Sequence, residues 1–244
     1  MDKGYEQKYF VIEEKNWWFQ ARRKTILSLV KKYPKNIKIL DIGCSGGLLM
    51  RALKDNGYNN VTGLDISPEA IEQCNKSGLN DVFIMDAHCP DFKDETFDLI
   101  IASDNLEHLK EDELALNNWN KLLKKNGNAI IFVPAFMSLW SEHDVVNLHF
   151  RRYKKQELIS KSKKAGFDVT KSSYWNSLLF FPAYIYRKFR NMVSDPNVNP
   201  KDHFEDYNPL VNGTLRSWIG FEDIFFNSTG LPIGLSVMVT LKKK

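Results

Sequence analysis

The sequence predicts an α/β protein built on an open, mostly parallel sheet with helices on both faces. Three stretches carry that expectation. Ile37 to Ile42 is a short, mostly apolar run that ends in the small-residue turn Gly43-Cys44-Ser45-Gly46-Gly47, after which Leu48, Leu49, Ala52 and Leu53 recur at helical spacing. Val61 to Asp65 is a second short run that ends in an acid, and Ser67-Pro68-Glu69 then starts a helix with a capping serine and a proline at its first position. Thr96 to Ser103 is almost continuously apolar, as expected of a strand covered on both faces.

In chain order, residues 1–36 form a polar, aromatic-rich lead with a helix over Trp17 to Val30, ended by Pro34. Trp17 and Trp18 suit either a cap on a crevice or a staple to the sheet edge. The turn after the first strand is not a P-loop, because no Gly-Lys-Ser/Thr follows it. It also lacks the dinucleotide spacing, since Ser45 and Leu48 stand where glycines are needed. Asp41 just before it repels phosphate and suits a ligand with a cationic group. The following helix ends at Gly57, a good residue for a left-handed C-terminal stop. Asp65 stands about 20 residues beyond the glycine turn, where open α/β folds bind a ribose diol. A third short strand over Asp81 to Ala87 carries Asp86 at its end, the fourth strand is followed by Asp104-Asn105-Leu106-Glu107-His108-Leu109, and a helix from Asp112 to Lys125 is expected to stop at Gly127. Gly127 to Pro134 reads as a fifth strand, Lys154 to Ala165 as a helix ended by Gly166, Phe167 to Trp175 as a sixth strand and Gly234 to Leu241 as a seventh. Residues 176–230 far exceed a hairpin connection and should carry helices of their own, over Leu178–Arg190 and Leu210–Phe226, joined by a linker at Ser194–Pro200.

Composition excludes several classes. The chain has 244 residues, 43% of them hydrophobic, enough for one larger domain with an added subdomain. Its net charge of +4 is too mild to imply nucleic acid, so none is expected as a partner. Cys44, Cys74 and Cys89 lack metal-site spacing and suit a reduced compartment. The first residues have no apolar leader pattern, and no window reaches the ~18 apolar residues of a membrane span. The expectation is a cytoplasmic protein.

Asp41-Ile42-Gly43-Cys44-Ser45-Gly46-Gly47 resembles the first motif of class I S-adenosylmethionine (SAM)-dependent methyltransferases, with Ser45 in place of the middle glycine. Phe97-Asp98-Leu99-Ile100-Ile101-Ala102-Ser103 with Leu106-Glu107-His108-Leu109 resembles their fourth motif, and Leu122 to Gly127 is also similar to the family. The resemblance implies a Rossmann-like, seven-stranded sheet whose last strand is antiparallel. It implies one molecule of SAM, or its product S-adenosyl-L-homocysteine, across the carboxyl ends of the first, second and fourth strands. Asp65 would bind its ribose diol and Asp86 its adenine amino group, while the loop after the fourth strand, with Ser103 and Leu106, would lie along its methionine part and open towards the acceptor. Asp41, Gly43, Ser45, Gly47, Ile66 and Ala87 complete the expected cofactor-binding set. The domain reading is an N-terminal helical cap (1–36), a SAM-binding core (37–175), a helical insert covering the acceptor (176–230) and the last strand of the core (231–244). The second half resembles a bacterial and archaeal subgroup associated with glycan and lipid-linked saccharide pathways.

Methyl transfer to an alcohol needs a proton acceptor, usually histidine. His143, beside Asp144, is the first choice and His149 the second, both in the segment after the fifth strand. Arg151, Arg152 and Tyr153, with Trp18 and Arg22, are candidate acceptor-binding residues. No metal is assigned. Asp104, Glu107 and His108 resemble only the start of a site in small-RNA 2′-O-methyltransferases, and Leu109 stands where that site has an adjacent histidine. The expected acceptor is a small or lipid-linked molecule methylated at oxygen. An N-methyltransferase of a small molecule or peptide, a nucleic-acid methyltransferase and a non-catalytic SAM-binding subunit remain alternatives. Leu178–Arg190 ends in Arg187, Lys188 and Arg190, which suits weak, peripheral contact with the inner membrane surface. The oligomeric state is open.

Overall fold

The computed structural model describes residues 3–193, 208–228 and 230–244. In chain order it shows α1 (Lys3–Lys15), α2 (Trp17–Val30), β1 (Ile39–Ile42), α3 (Leu48–Asp55), β2 (Val61–Asp65), α4 (Pro68–Lys76), β3 (Val82–Ile84) and β4 (Phe97–Ser103). Next come α5 (Asp112–Leu122), β5 (Leu123–Pro134), α6 (Glu142–Val146), α7 (Lys155–Lys164), β6 (Phe167–Trp175), α8 (Phe180–Val193), α9 (Pro209–Ser228) and β7 (Ser236–Lys243). The strands form one seven-stranded sheet in the order β3-β2-β1-β4-β5-β7-β6. β1 to β5 pair in parallel, and β7 runs antiparallel between β5 and β6. This is the Rossmann-like sheet with the antiparallel last strand that the motif resemblance implied.

Two apolar layers cover the sheet. On one face Ala115, Leu116, Trp119 and Leu122 of α5 and Leu158 of α7 pack against Ile100, Ala102, Ile131 and Val239. On the other, Ile26 and Leu29 of α2, Met50 and Leu53 of α3, and Ile219 and Phe226 of α9 pack against Leu99, Ile101, Ile130 and Phe132. Every residue of β1 is buried, which explains why that strand reads as an unbroken apolar run around Asp41. α9 is fastened to α2 by polar contacts as well. The Trp17 N–H donates to Asn212 Oδ1 (3.1 Å), and Thr25 Oγ1 donates to Asp223 Oδ1 (3.0 Å).

Some boundaries depart from the sequence reading. α5 stops at Leu122 rather than at Gly127, because Leu123 already pairs with Phe97 as the first residue of β5. The register then jumps to Leu99–Asn128 through a bulge in which Asn126 takes a φ of +64°, and Lys124 closes the bulge by donating to Asp98 (2.8 Å). Helix-forming lysines thus yield to sheet pairing and a salt bridge. β3 is only three residues long, so Asp86 lies in the turn beyond it. Neither the helix over Lys3–Lys15 nor the short Glu142–Val146 helix was read from sequence, and the Ser194–Pro200 linker lies outside the described residues.

Candidate active site

Beyond the carboxyl ends of β1, β2 and β4 lies a cavity of about 670 Å³. The glycine turn forms one wall. Gly43 takes a φ of +73° and closes against Asn105, so any side chain there would collide with the Asn105 amide. Gly47 starts α3 with a φ of +79° and lies against Leu79 and Cys74, away from the cavity. Ser45, standing where the motif has its middle glycine, adopts the left-handed conformation itself with a φ of +48°. Its hydroxyl donates to Glu13 Oε2 of α1 (2.8 Å), a contact that helps hold this unusual backbone.

Three acids converge on this wall. Asp65 at the end of β2 accepts from the N–H of Ser45 through Oδ2 (3.0 Å) and from the N–H of Ser67 through Oδ1 (3.0 Å), so its carboxylate is fixed in orientation. Asp41 is buried and its Oδ2 has no hydrogen-bond partner. Burial, reinforced by the charges of Glu13 and Asp65, pushes its carboxyl up to about 8. Burial likewise raises Glu13, the acid that sequence reading missed because it sits far upstream on α1. One buried and two half-buried acids, mutually repelling and with an orphan oxygen, suit a ligand that brings positive charge and hydroxyl donors. At the far end Asp86 accepts from the His88 N–H (2.8 Å) beside Ile66 and Ala87, and the Trp119 indole donates to the Ala87 carbonyl (2.8 Å), tying that turn to α5. Ser103 also lines the cavity, donating to Asp104 Oδ2 (3.0 Å), whereas Leu106 is buried in the core.

A second cavity of about 490 Å³ adjoins the first. Both are lined by Tyr9, Phe19, Asp104, His108 and Asn147, so the seam between them runs over the loop after β4. Its lining combines apolar side chains, among them Trp17, Trp18, Leu179, Ala183 and Leu215, with the polar Glu107, His143, His149 and Arg152. Trp18 therefore lines the second cavity, and α8 and α9 contribute to its walls.

Arg22 lines the first cavity instead. It is buried, pairs with Asp104 (3.0 Å), donates to Ser236 Oγ (2.7 Å) and lies between the rings of Trp175 and Phe132 at 4.2 and 4.3 Å. It holds Asp104, whose φ of +54° is itself strained, at the seam. Arg152 points into the second cavity while its Nε donates to Asp144 Oδ1 (2.7 Å). Arg151 and Tyr153 line neither cavity: both bind Asp112, at 2.8 Å each, where Lys161 completes a partly exposed charge cluster. Alternation along the chain after His149 sends Arg152 inward and Arg151 to the far side, which a reading of the three residues as one basic cluster does not separate.

His143 and His149 both line the second cavity, with ring centroids 5.8 Å apart. Asp144 pairs with His149 Nδ1 (2.9 Å) rather than with its sequence neighbour His143, because the α6 turn directs the Asp144 side chain inward. His143 Nδ1 lies 3.1 Å from Asn147 Nδ2. Glu107 and His108 reach the same place from the turn after β4. The His108 and His149 rings meet edge to face at 4.5 Å, and burial together with His149 and His143 pushes His108 down to about 3.

Residues 40–131 match a family described as "Methyltransferase domain". The chain is 26% identical over 158 residues to a chloroplastic 2-methyl-6-phytyl-1,4-hydroquinone methyltransferase of Oryza sativa subsp. japonica, covering 63% of this chain and 48% of that one. It is 37% identical over 103 residues to a ubiquinone biosynthesis O-methyltransferase of Pelagibacter ubique, covering 41% of this chain and 42% of that one. The chain thus spans about half the length of these curated relatives. A crystal structure of a SAM-dependent methyltransferase, a possible histamine N-methyltransferase of Thermotoga maritima, superposes with a TM-score of 0.60 at 19% identity, covering 99% of this chain and 96% of that one. Residues 40–131 thus resemble a methyltransferase domain, and the seven-stranded sheet around them has the Rossmann-like fold of methyltransferases.

Proposed function

We propose that the chain is a SAM-dependent methyltransferase that carries a methyl group to the hydroxyl of a small or lipid-linked acceptor. The observation that carries this reading is the pair of abutting cavities, one walled by acids and the other by histidines and apolar side chains, which meet at Asp104, His108 and Asn147. The first cavity fits the cofactor: the orphan oxygen of Asp41 suits a cationic amino group, and the fixed carboxylate of Asp65 suits a ribose diol. When bound, SAM supplies a methyl group already activated on a sulfonium. The chain's own residues align the acceptor and exclude water. His143 takes the hydroxyl proton on its imidazole, with His149 as the second candidate. Arg152 adds positive charge for an anionic acceptor group. The name of the Pelagibacter relative supports oxygen as the acceptor atom.

The 176–230 segment acts as the acceptor's cover, a reading supported by the α8 and α9 residues that line the second cavity. Its outer side supports contact with a lipid surface. Phe181, Ile185 and Phe189, one helical turn apart on α8, are 63%, 66% and 66% exposed, as are, to lesser or similar degree, Trp218, Phe221 and Ile224 of α9. Among the described residues no helix is long and apolar enough to cross a membrane, so such contact would be peripheral.

Incubation with radiolabelled SAM and fractionated lipid, saccharide and nucleic-acid extracts, followed by mass spectrometry of the labelled product, tests the activity. Label in a lipid or saccharide hydroxyl supports it; label in an amine or a nucleic acid redirects it; no label in any fraction, despite cofactor binding, points to a non-catalytic subunit. Flotation with anionic vesicles at low and high salt tests the surface contact, which is refuted if the protein floats in neither.

A further inference from the structure

We infer that Glu107, His108 and His149 form a binding site for a divalent first-row transition cation at the seam between the two cavities. One ligand atom from each of the three lies within 4.8 Å of the others, the separation a single ion bridges. Two imidazoles and one carboxylate form a donor set that binds zinc and related cations while leaving positions open.

Three further observations point to a cation. Glu107 is 1% exposed, and neither of its carboxylate oxygens has a hydrogen-bond partner. A buried, unpartnered carboxylate is costly unless a positive charge meets it. The two histidines also carry the supporting contacts that ligating imidazoles need, in which the other ring nitrogen binds a carboxylate or a backbone carbonyl. His149 Nδ1 is held by Asp144 (2.9 Å), leaving Nε2 as its ligand atom, and Asp144 is itself fixed by Arg152 (2.7 Å). His108 hydrogen-bonds the backbone of Asn147. Finally, the ligands come from two places, the turn after β4 and the α6 loop, which are joined where the Phe150 N–H donates to the Glu107 carbonyl (2.8 Å). Asp104 is not counted among the ligands, because Arg22 and Ser103 occupy its Oδ2.

The site faces the second cavity, whose lining includes all three ligands. The role of the cation, though not its binding, rests on the methyl-transfer reading. It holds the acceptor's hydroxyl oxygen and eases loss of its proton, which passes to the His143 imidazole. This assignment separates the two histidines of the α6 loop: His149, oriented by Asp144, serves the cation, and His143 serves the proton.

The test titrates the full-length chain, stripped with a chelator, with cobalt(II) chloride alone. The expected result is one Co²⁺ per chain with visible ligand-field bands and no thiolate charge-transfer band, competed away by zinc. Glu107→Gln and His149→Ala should each weaken binding at least about tenfold. Asp144→Asn, which leaves all three ligands in place, should weaken it roughly 10–100-fold. Absence of Co²⁺ binding by the unmodified chain overturns the site whatever the variants do. So does binding that is unchanged in all three variants while circular dichroism shows them folded. A parallel titration with S-adenosyl-L-homocysteine on the metal-free chain keeps the two readings apart: a chain that takes up the product but fails to bind cobalt refutes the cation site alone, and one that binds cobalt but fails to take up the product refutes the methyl-transfer reading alone.

Discussion

The walls of the two cavities are assembled in different ways. In the first, Asp41, Gly43, Ser45, Asp65, Asp86 and Ser103 all lie within one or two residues of the end of a parallel strand or in the turn just beyond it. Parallel strands bring their carboxyl ends to one edge of the sheet, so each acid's place follows from the strand before it. In the second cavity Trp18, Glu107, His143, Arg152, Ala183, Leu215 and Ser236 come from α2, the turn after β4, the α6 loop, α8, α9 and β7. No strand register brings these together; helix packing and a few buried ion pairs do. Local order in the chain therefore fixes the strand-end wall of the first site, whereas the second depends on contacts between segments up to about 200 residues apart, such as the Trp17 N–H with Asn212 Oδ1.

The contrast can be broken from either side. The largest effect is expected at the second cavity: His143→Ala should lower turnover on the true acceptor about 10²–10⁴-fold and leave the affinity for S-adenosyl-L-homocysteine unchanged. Full turnover in both His143→Ala and His149→Ala would mean alignment alone suffices. Arg22→Leu should cost about 3 kcal/mol of stability in a denaturant titration, because it strips Asp104 of its partner and empties the space between Trp175 and Phe132. A loss below about 1 kcal/mol would show that the distant segments are held without it. Asp65→Ala should weaken product binding by about 1–3 kcal/mol in calorimetry, with stability little changed; unchanged affinity would place the ribose elsewhere.

A smaller, pH-dependent effect belongs to Asp41. Its carboxyl titrates at about 8 in the unliganded fold, far above the ordinary carboxylate range of the unfolded chain. The unfolded chain therefore holds fewer protons between those two values, and stability falls as pH rises from about 4 to 8. Binding of a cationic ligand favours the ionised form. Affinity for S-adenosyl-L-homocysteine should rise with pH by at most about tenfold per unit, level off above about 8, and lose that slope in Asp41→Asn. The smallest effect is expected at Arg151, which lies outside both cavities: Arg151→Ala should change stability by about 1 kcal/mol or less and leave the acceptor's KM unchanged. A raised KM would move that residue back into the acceptor site.

Much of the first site was legible because each element announced itself locally. Ser67 and Pro68 marked the start of α4, Gly57 the end of α3, and the acids at the ends of the apolar runs marked the cavity edge. Glu13 was not legible: nothing within α1 shows that the helix folds back so that its carboxylate meets Ser45. The Asp144–His149 pair was hidden for a related reason. Adjacency favoured His143, but side chains one apart on a helical turn point in different directions, and the five-residue α6 turn with its flanks decides which ring Asp144 reaches. The end of α5 was misjudged because Leu122 to Lys125 has helical propensity, and sheet pairing of Leu123 with Phe97 overrides it.

By itself, then, the sequence determined the sheet, its glycine turn and the acids along its edge, since hydrophobic period and turn chemistry act over a few residues. Only the tertiary structure decided that Arg22 faces the first cavity, that Arg151 and Tyr153 bind Asp112, and that Glu107, His108 and His149 meet. Those outcomes depend on how helices dock across the sheet and which buried charges find partners, and a side chain's cavity is set by the segments packed against it rather than by its neighbours in the chain.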